Sequence, residues 1–260
     1  MRFKSRVLLS VIIVCLSMVL FVSYYLNASV REASVATTVR PSNSSSEAES
    51  QLSVQKVLDE FSKTSSTAPC EISDKTEEWS LILVNGQHAI PQPYDFYPSF
   101  YDTEAVDSRI FDLLVAMMKS AEKNGISLWI ASGFRDVETQ TAILENAVEN
   151  RMNEYEMDRD TAMTNALKTI ALPGYSEHHT GLAVDFNTVS VDFEETEAYH
   201  WLSKYAAEYG FVQRYPEEKE EITGINYEPW HYRYVGKTHA REMKEKNYCL
   251  EEYIAYLKTV

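Results

Sequence analysis

The stretch PGYSEHHTGLAVDF, Pro173–Phe186, combines turn-forming residues, two adjacent histidines and an apolar segment. Its last part, Gly181–Phe186, has the apolar character of a buried strand, and the leading glycine allows a tight turn. A loop followed by a strand can bring the side chains of His178 and Asp185 to one point. Imidazole and carboxylate groups are common zinc ligands. The stretch therefore predicts a turn and strand that carry two ligands of a metal site, with a third ligand supplied from elsewhere.

A third ligand is available in EPWHYRYVG, Glu228–Gly236. His231 stands at the start of an apolar, strand-like segment, and Glu228 lies three residues before it. A glutamate beside a metal site can accept a proton from water and pass it to a leaving amine. Three protein ligands with one open position are typical of catalytic zinc, whereas structural zinc usually has four ligands, often cysteines. The pattern favours a catalytic site.

A third motif, SGFRD, covers Ser132–Asp136 and directly follows a predicted strand. Arg135 stands where this strand ends, and a guanidinium there can bind an anionic or polarised oxygen with fixed geometry. The alternative is a surface salt bridge, but the position at a strand end favours a functional role. We expect Asp136 to cap the helix that follows.

The rest of the chain after about Cys70 predicts short strands grouped with helices. There is no regular alternation of strand and helix, which indicates an α+β domain. We expect a turn at Asn85-Gly86 and a solvated loop at Glu217–Glu221. The predicted strands are Trp79–Asn85, Ser127–Ser132, Gly181–Phe186, Phe211–Tyr215 and His231–Val235, and the predicted helices are Asp107–Lys123, Glu138–Leu172 with a break near Tyr155–Asp160, Glu195–Tyr209 and the C-terminal tail.

The N-terminal part has a different composition. Basic residues precede an uncharged apolar run, Val7–Leu26, which is long enough to span a bilayer. The positive-inside rule then places the catalytic domain outside the cell. We expect residues 1–27 to form the cytoplasmic end and a single transmembrane anchor, residues 28–69 a Ser/Thr-rich flexible stalk, and residues 70–260 the catalytic domain. Cleavage of the apolar run as a signal peptide is the alternative.

The overall charge limits the classes of partner. The chain has 39 acidic and 24 basic residues, which argues against nucleic-acid binding and against broad adhesion to anionic lipid. Cys70 and Cys249 flank the expected domain, and a disulfide between them and two free thiols are both compatible with an extracellular location.

Together and in this order, the three motifs resemble those of the zinc D-alanyl-D-alanine carboxypeptidases of the VanY type, over residues 79–257. The resemblance implies one zinc peptidase domain with a small antiparallel sheet flanked by helices. It also identifies His178, and not the adjacent His179, as the ligand. The roles it implies are zinc binding by His178, Asp185 and His231, general base catalysis by Glu228, substrate binding and oxyanion stabilisation by Arg135, and lining of the substrate pocket by Ser176 and Gln140. Phe134 stands where relatives often have Tyr.

The implied reaction is hydrolysis of the terminal D-Ala from peptidoglycan stem peptides by metal-activated water. An L,D-carboxypeptidase and a D-Ala-D-Ala dipeptidase are alternatives on the same scaffold. A third alternative is a non-catalytic cell-wall-binding module, and retention of Glu228 argues against it.

Overall fold

The computed structural model describes residues 78–260. The expected anchor in residues 1–27, the stalk in residues 28–69 and Cys70 lie outside this range. Within it, no helix is both long enough and apolar enough to cross a membrane. Cys249 is buried at the start of the last helix and has no disulfide partner within this range, and the disulfide to Cys70 stays a prediction.

In chain order the strands of the described part are β1 (Pro98–Tyr101), β2 (Glu104–Asp107), β3 (Ile130–Ser132), β4 (Ala183–Phe186), β5 (Phe211–Tyr215) and β6 (Glu228–Tyr234). Four of them form an antiparallel sheet in the order β3-β4-β6-β5, and a separate hairpin pairs β1 with β2. The α-helices are α1 (Ser108–Lys123), α2 (Val137–Tyr155), α3 (Arg159–Ala166), α4 (Glu197–Tyr205), α5 (Glu220–Thr223), α6 (Lys237–Lys246) and α7 (Leu250–Leu257). The α+β prediction with a small antiparallel sheet is confirmed.

The sheet separates an apolar core from a polar layer. Along β4, Val184 and Phe186 belong to the main core, whereas Asp185 points to the opposite face because strand residues alternate. Helix α1 covers the core side with an apolar stripe, of which only Phe111 is partly exposed; the stripe consists of Ile110, Phe111, Leu114, Met117, Met118 and Ala121. Every residue of β4 and β6 is buried. The polar side chains on the second face are therefore held by two fully covered strands.

The strand predicted at Trp79–Asn85 is wrong. A 3₁₀ turn occupies Glu78–Leu81, and only the turn at Asn85-Gly86 forms as expected, closed by a bridge to His88. The carbonyl oxygens of Ser80 and Ile82 accept hydrogen bonds from the Arg233 guanidinium at 2.9 and 2.8 Å. A buried side chain thus provides the hydrogen-bond donors that a neighbouring strand would otherwise provide.

Other differences concern element boundaries. The helix predicted to reach Leu172 breaks at Glu156, as expected, but its second part ends at Ala166. Glu217–Glu221 forms a 3₁₀ turn and the start of α5, although we predicted a loop. The hairpin Pro98–Asp107 was not predicted. Only the last residues of β2 are buried. The two short strands therefore carry little of the apolar patterning that predicts a strand.

Candidate metal centre and active-site cleft

Three potential metal ligands converge on the polar face of the sheet. Asp185 and His231 are cross-strand partners in the β4–β6 ladder, and the Nδ1 atom of His231 lies 3.0 Å from an Asp185 oxygen. The Nε2 atom of His178 lies 3.3 Å from the other Asp185 oxygen. One nitrogen or oxygen from each of the three buried side chains lies within 4.8 Å of the others. Among residues 78–260 this is the one group of such residues with metal-site geometry.

A short turn before β4 places His178. Ser176 caps the 3₁₀ turn Glu177–Thr180, with its hydroxyl accepting a hydrogen bond from the His178 N–H at 3.3 Å. Gly181 ends the turn with φ +67°. A Cβ there would lie 2.5 Å from the Phe96 ring and 2.9 Å from the Asp107 nitrogen, so the position requires glycine. The glycine between the two ligands therefore acts as the sequence suggested.

The ring of His178 is oriented by the backbone of the SGFRD motif. Its Nδ1 lies 2.7 Å from the carbonyl oxygen of Gly133, and since a carbonyl can only accept, Nδ1 carries the proton. The Nε2 lone pair then faces Asp185. Burial lowers the pKa of His178, which also favours the neutral, ligating form.

His231 is oriented by Glu177. Its Nδ1 faces Asp185, and its Nε2 faces the Glu177 Oε2 atom at 3.5 Å. Burial opposes a charge on the imidazole, but the neighbouring carboxylates of Asp185 and Glu177 raise the pKa of His231 to about 9. A carboxylate behind a metal-binding imidazole fixes its ring orientation and increases its basicity as a ligand.

Glu177 is a residue that the sequence analysis missed. Its other oxygen, Oε1, accepts hydrogen bonds from Arg214 at 2.7 Å and Arg233 at 2.8 Å, and all three side chains are fully buried. Burial alone would raise the pKa of Glu177, but the two arginines hold it well below its usual range. The signal available in the sequence was a charged residue directly beside the ligand His178.

Glu228 begins β6 and lies near the ligands. One of its oxygens is 3.8 Å from the His231 Nδ1 atom. Burial raises the pKa of Glu228 to about 8, and a cation bound beside it would favour the ionised form. Tyr215 lies opposite Glu228 in the β5–β6 pair and packs its ring 4.9 Å from the His231 ring. The carboxylate thus sits in a confined polar cleft.

Arg135 reaches the same cleft from the loop after β3. Its guanidinium donates to the Ser132 hydroxyl at 2.8 Å and to the Gln140 Oε1 atom at 2.9 Å, and it lies 3.6 Å from Asp185. Desolvation lowers its pKa, although the surrounding carboxylates oppose this change. The cleft has a volume of about 220 Å³ and is lined by all seven residues of the predicted site: Arg135, Gln140, Ser176, His178, Asp185, Glu228 and His231.

Several side chains have their polar groups occupied by the protein itself. The Gln140 amide accepts from Arg135 and donates to the Ala171 carbonyl at 2.7 Å. Phe134 stacks on Phe96, with ring centroids 3.9 Å apart, so its ring is held by packing without a hydroxyl. His88, His200 and His239 do not line the cleft.

The residues present fit a zinc ion. Two imidazoles and one carboxylate are a common set for catalytic zinc, which keeps a position open for water or substrate. In each histidine ring, a partner on the far side determines which nitrogen faces the metal position. This partner is Gly133 for His178 and Glu177 for His231. A divalent cation would also compensate the carboxylates of Asp185 and Glu228, whereas Glu177 is paired with Arg214 and Arg233.

Comparison with known proteins identifies the family of the chain. A family model described as VanY, D-alanyl-D-alanine carboxypeptidase, matches residues 103–237. A D-alanyl-D-alanine carboxypeptidase of Enterococcus faecalis is 41% identical over 180 residues, which cover 68% of this chain and 66% of that protein, just under two thirds of its length.

Solved structures show the same relationship. A variant of the vancomycin-resistance D,D-pentapeptidase VanY in complex with Zn(II) is 39% identical, with a TM-score of 0.63 over 68% of this chain and 99% of that chain. The LD-carboxypeptidase LdcB is 34% identical, with a TM-score of 0.56 over 66% of this chain and 84% of that chain. The chain therefore belongs to the VanY family of D-alanyl-D-alanine carboxypeptidases, which are zinc metallopeptidases.

Proposed function

We propose that this chain removes the terminal D-Ala from peptidoglycan stem peptides, with zinc held by His178, Asp185 and His231. The observation that carries the proposal is the convergence of these three side chains in one cleft with Glu228 and Arg135. A metal site alone could be structural. A carboxylate and a guanidinium beside the ligands provide the further groups that amide hydrolysis requires.

The proposed chemistry divides between the ion and the protein. When bound, zinc lowers the pKa of a coordinated water and polarises a carbonyl group. Glu228 accepts a proton from the attacking water and donates it to the nitrogen of the D-Ala that leaves. A carbon–oxygen bond forms, the peptide carbon–nitrogen bond breaks, and the products are a shortened peptide with a free carboxylate and D-Ala with a free amino group.

Arg135 supplies positive charge in the cleft that also contains Glu228. In our proposal its guanidinium binds the substrate and stabilises the negative charge that develops on the carbonyl oxygen. Because the group is largely removed from solvent, its charge acts more strongly than it would in water. Gln140 and Ser176 line the same pocket, and Gln140 also holds the guanidinium through its Oε1 atom.

Two related activities use the same chemistry. Similarity to LdcB supports an L,D-carboxypeptidase, and a D-Ala-D-Ala dipeptidase would need the same catalytic groups. The greater identity to proteins named D-alanyl-D-alanine carboxypeptidase favours D,D specificity. A cell-wall-binding module without catalysis is a further alternative, against which the presence of Glu228 beside the ligands argues.

Mass spectrometry of synthetic peptides tests these alternatives. The zinc-loaded full-length chain in detergent is incubated with a stem pentapeptide ending in D-Ala-D-Ala, a stem tetrapeptide ending in D-Ala, and the D-Ala-D-Ala dipeptide. We expect the pentapeptide to lose one D-Ala fastest. Preferred cleavage of the tetrapeptide would show an L,D-carboxypeptidase, preferred cleavage of the dipeptide a dipeptidase, and no cleavage of any peptide would contradict a catalytic role.

A further inference from the structure

The second histidine of the HH pair has both ring nitrogens occupied. The Nδ1 atom of His179 lies 2.6 Å from the carbonyl oxygen of Arg135, and its Nε2 atom lies 3.0 Å from the backbone nitrogen of Gly174. We propose that His179 is a positioning residue that fixes Arg135 at the cleft, an inference that rests on the role of Arg135 in the proposed function.

The hydrogen bonds define one tautomer of His179. A backbone N–H can only donate, so the Nε2 atom that faces Gly174 must accept. The ring proton then lies on Nδ1 and is donated to the Arg135 carbonyl. Since neither nitrogen is free, His179 cannot bind a metal ion in this arrangement. The two adjacent histidines therefore have different tasks, one facing the metal position and the other joining two loops.

His179 is one of two bridges between Arg135 and the turn that precedes the metal ligands. The first bridge runs from the Arg135 carbonyl through His179 to the Gly174 N–H. The second runs from the Arg135 guanidinium through Gln140 to the Ala171 carbonyl, with bonds of 2.9 and 2.7 Å. One bridge holds the backbone of the arginine and the other holds its side chain.

The turn at the far end of both bridges is itself anchored. The Gly174 carbonyl accepts a hydrogen bond from the Ile90 N–H at 2.8 Å, and the Arg135 N–H donates to the His178 carbonyl at 3.1 Å. The peptide unit of Arg135 is thus fixed on its N–H side by His178 and the following carbonyl is fixed by His179. The loop gains a defined position relative to the first metal ligand.

This restraint matters because Arg135 has an alternative partner. Its guanidinium is 3.6 Å from an oxygen of Asp185, which is a proposed zinc ligand. In a buried cleft, a small shift of the loop would let the two opposite charges form a closer pair. Such a pair would remove the guanidinium from the substrate and compete for the ligand oxygen. His179 holds the loop in the position where Arg135 can bind the substrate while Asp185 remains a ligand of the metal.

The test compares variants that separate ring volume from hydrogen bonding. His179→Ala removes both, His179→Phe keeps an aromatic ring without the bonds, and His179→Asn keeps a donor near the position of Nδ1. The control is His200→Ala, which removes an exposed histidine on α4. We expect kcat/KM to fall by about 10- to 100-fold for the Ala and Phe variants, because small misplacements of a catalytic group have effects of this size. His179→Asn should recover part of the loss, and zinc content should be unchanged in all variants.

Combination with Arg135→Ala distinguishes positioning from general damage. If His179 acts through Arg135, His179→Phe should cause little further loss of kcat/KM in the Arg135→Ala background. An equal loss in both backgrounds would overturn the proposal, as would full activity of His179→Phe.

A measurement independent of catalysis covers the case in which the wild-type chain cleaves none of the peptides. In ¹⁵N NMR spectra of the zinc-loaded protein, the His179 ring should show the Nδ1-protonated form, and the Arg135 backbone N–H, which donates to the His178 carbonyl, should be protected from solvent exchange. His179→Phe should lose that protection while His200→Ala keeps it. An Nε2-protonated ring, or an Arg135 signal unchanged in His179→Phe, would contradict the inference even where the proposed function holds.

Discussion

At the scale of single residues, the role of each histidine follows from the partner behind its ring. Gly133 holds the Nδ1 of His178, and Glu177 faces the Nε2 of His231, so a different nitrogen of each ring is turned toward Asp185. In His179 both nitrogens are bound by backbone groups. Residue type alone does not distinguish these three cases.

The first residue-scale prediction concerns Glu228. Glu228→Gln keeps the shape of the side chain but removes its ability to accept a proton, so we expect turnover of the pentapeptide to fall by at least about 100-fold. Zinc content, measured by mass spectrometry of the metal after dialysis, should remain at the wild-type level. His231→Ala should instead lose zinc. Near-normal turnover in Glu228→Gln would remove the assigned base.

The second residue-scale prediction concerns the buried anion Glu177. Glu177→Gln leaves Arg214 and Arg233 without their shared carboxylate, and we expect the free energy of unfolding to fall by about 3–5 kcal/mol. The matched control is Glu208→Gln, which breaks a pair with Arg241 whose side chains are more than half exposed and should change stability by less than about 1 kcal/mol. Urea denaturation measures both. Equal effects of the two substitutions would show that burial of the Glu177 carboxylate contributes little.

At the scale of elements, the loop after β3 is fixed where α2 begins. Asp136 caps this helix, as predicted, by accepting a hydrogen bond from the Thr139 N–H at 2.7 Å. The cap directly follows Arg135, and Gln140 lies one turn further along the helix. The start of α2 therefore fixes the backbone next to Arg135, and it also supplies Gln140, which hydrogen-bonds to the arginine side chain.

The prediction at this scale is that Asp136→Ala lowers the free energy of unfolding by about 1 kcal/mol near neutral pH, while Asp136→Asn, which can still cap, lowers it less. Hydrogen bonds from Thr139 lower the pKa of Asp136 in the folded state. A lowered pKa contributes stability above the usual value for Asp and loses it as the pH falls through the folded value. Thermal unfolding from pH 7 into the acidic range should therefore show the wild type and Asp136→Ala converging. A constant difference would contradict an ionised cap.

At the scale of the whole molecule, a buried network of charges joins the metal site to distant parts of the chain. Arg214 links Glu177 to Glu251 on α7, with bonds of 2.8 and 2.6 Å to the latter. Arg233 links Glu177 to the backbone of Ser80 and Ile82. The polar layer behind the ligands thus fixes the first described segment and the last helix against the same sheet face.

The whole-molecule prediction concerns location. We propose that the apolar run at residues 7–26 anchors the chain in the cell membrane with the catalytic domain outside, because basic residues precede an uncharged run of sufficient length. We expect the full-length protein in the membrane fraction, with the domain accessible to protease added to intact spheroplasts. A variant lacking residues 1–27 provides the control. Recovery of the wild type only as a soluble product beginning near residue 28 would show cleavage.

The sequence predicted the elements whose signals are local. Three such signals are the apolar stripe of α1, the cap at Asp136 and the glycine at position 181. Each depends on neighbours a few residues away, so its pattern can be identified within one stretch of chain. The segment Trp79–Asn85 was predicted wrongly because its carbonyl partner, Arg233, lies far away along the chain. Glu177 was missed for the same reason, since its partners Arg214, Arg233 and His231 come from two other strands.

Residue types and their order were enough to predict an α+β domain with two histidines, an aspartate, a glutamate and an arginine in motifs suited to zinc chemistry. The folded structure was needed to show which ring nitrogen faces the metal position, that Glu177 faces the far side of the His231 ring, and that the His179 ring bonds to the Arg135 carbonyl. These features depend on contacts between segments distant in sequence, which come within bonding distance only when the chain folds.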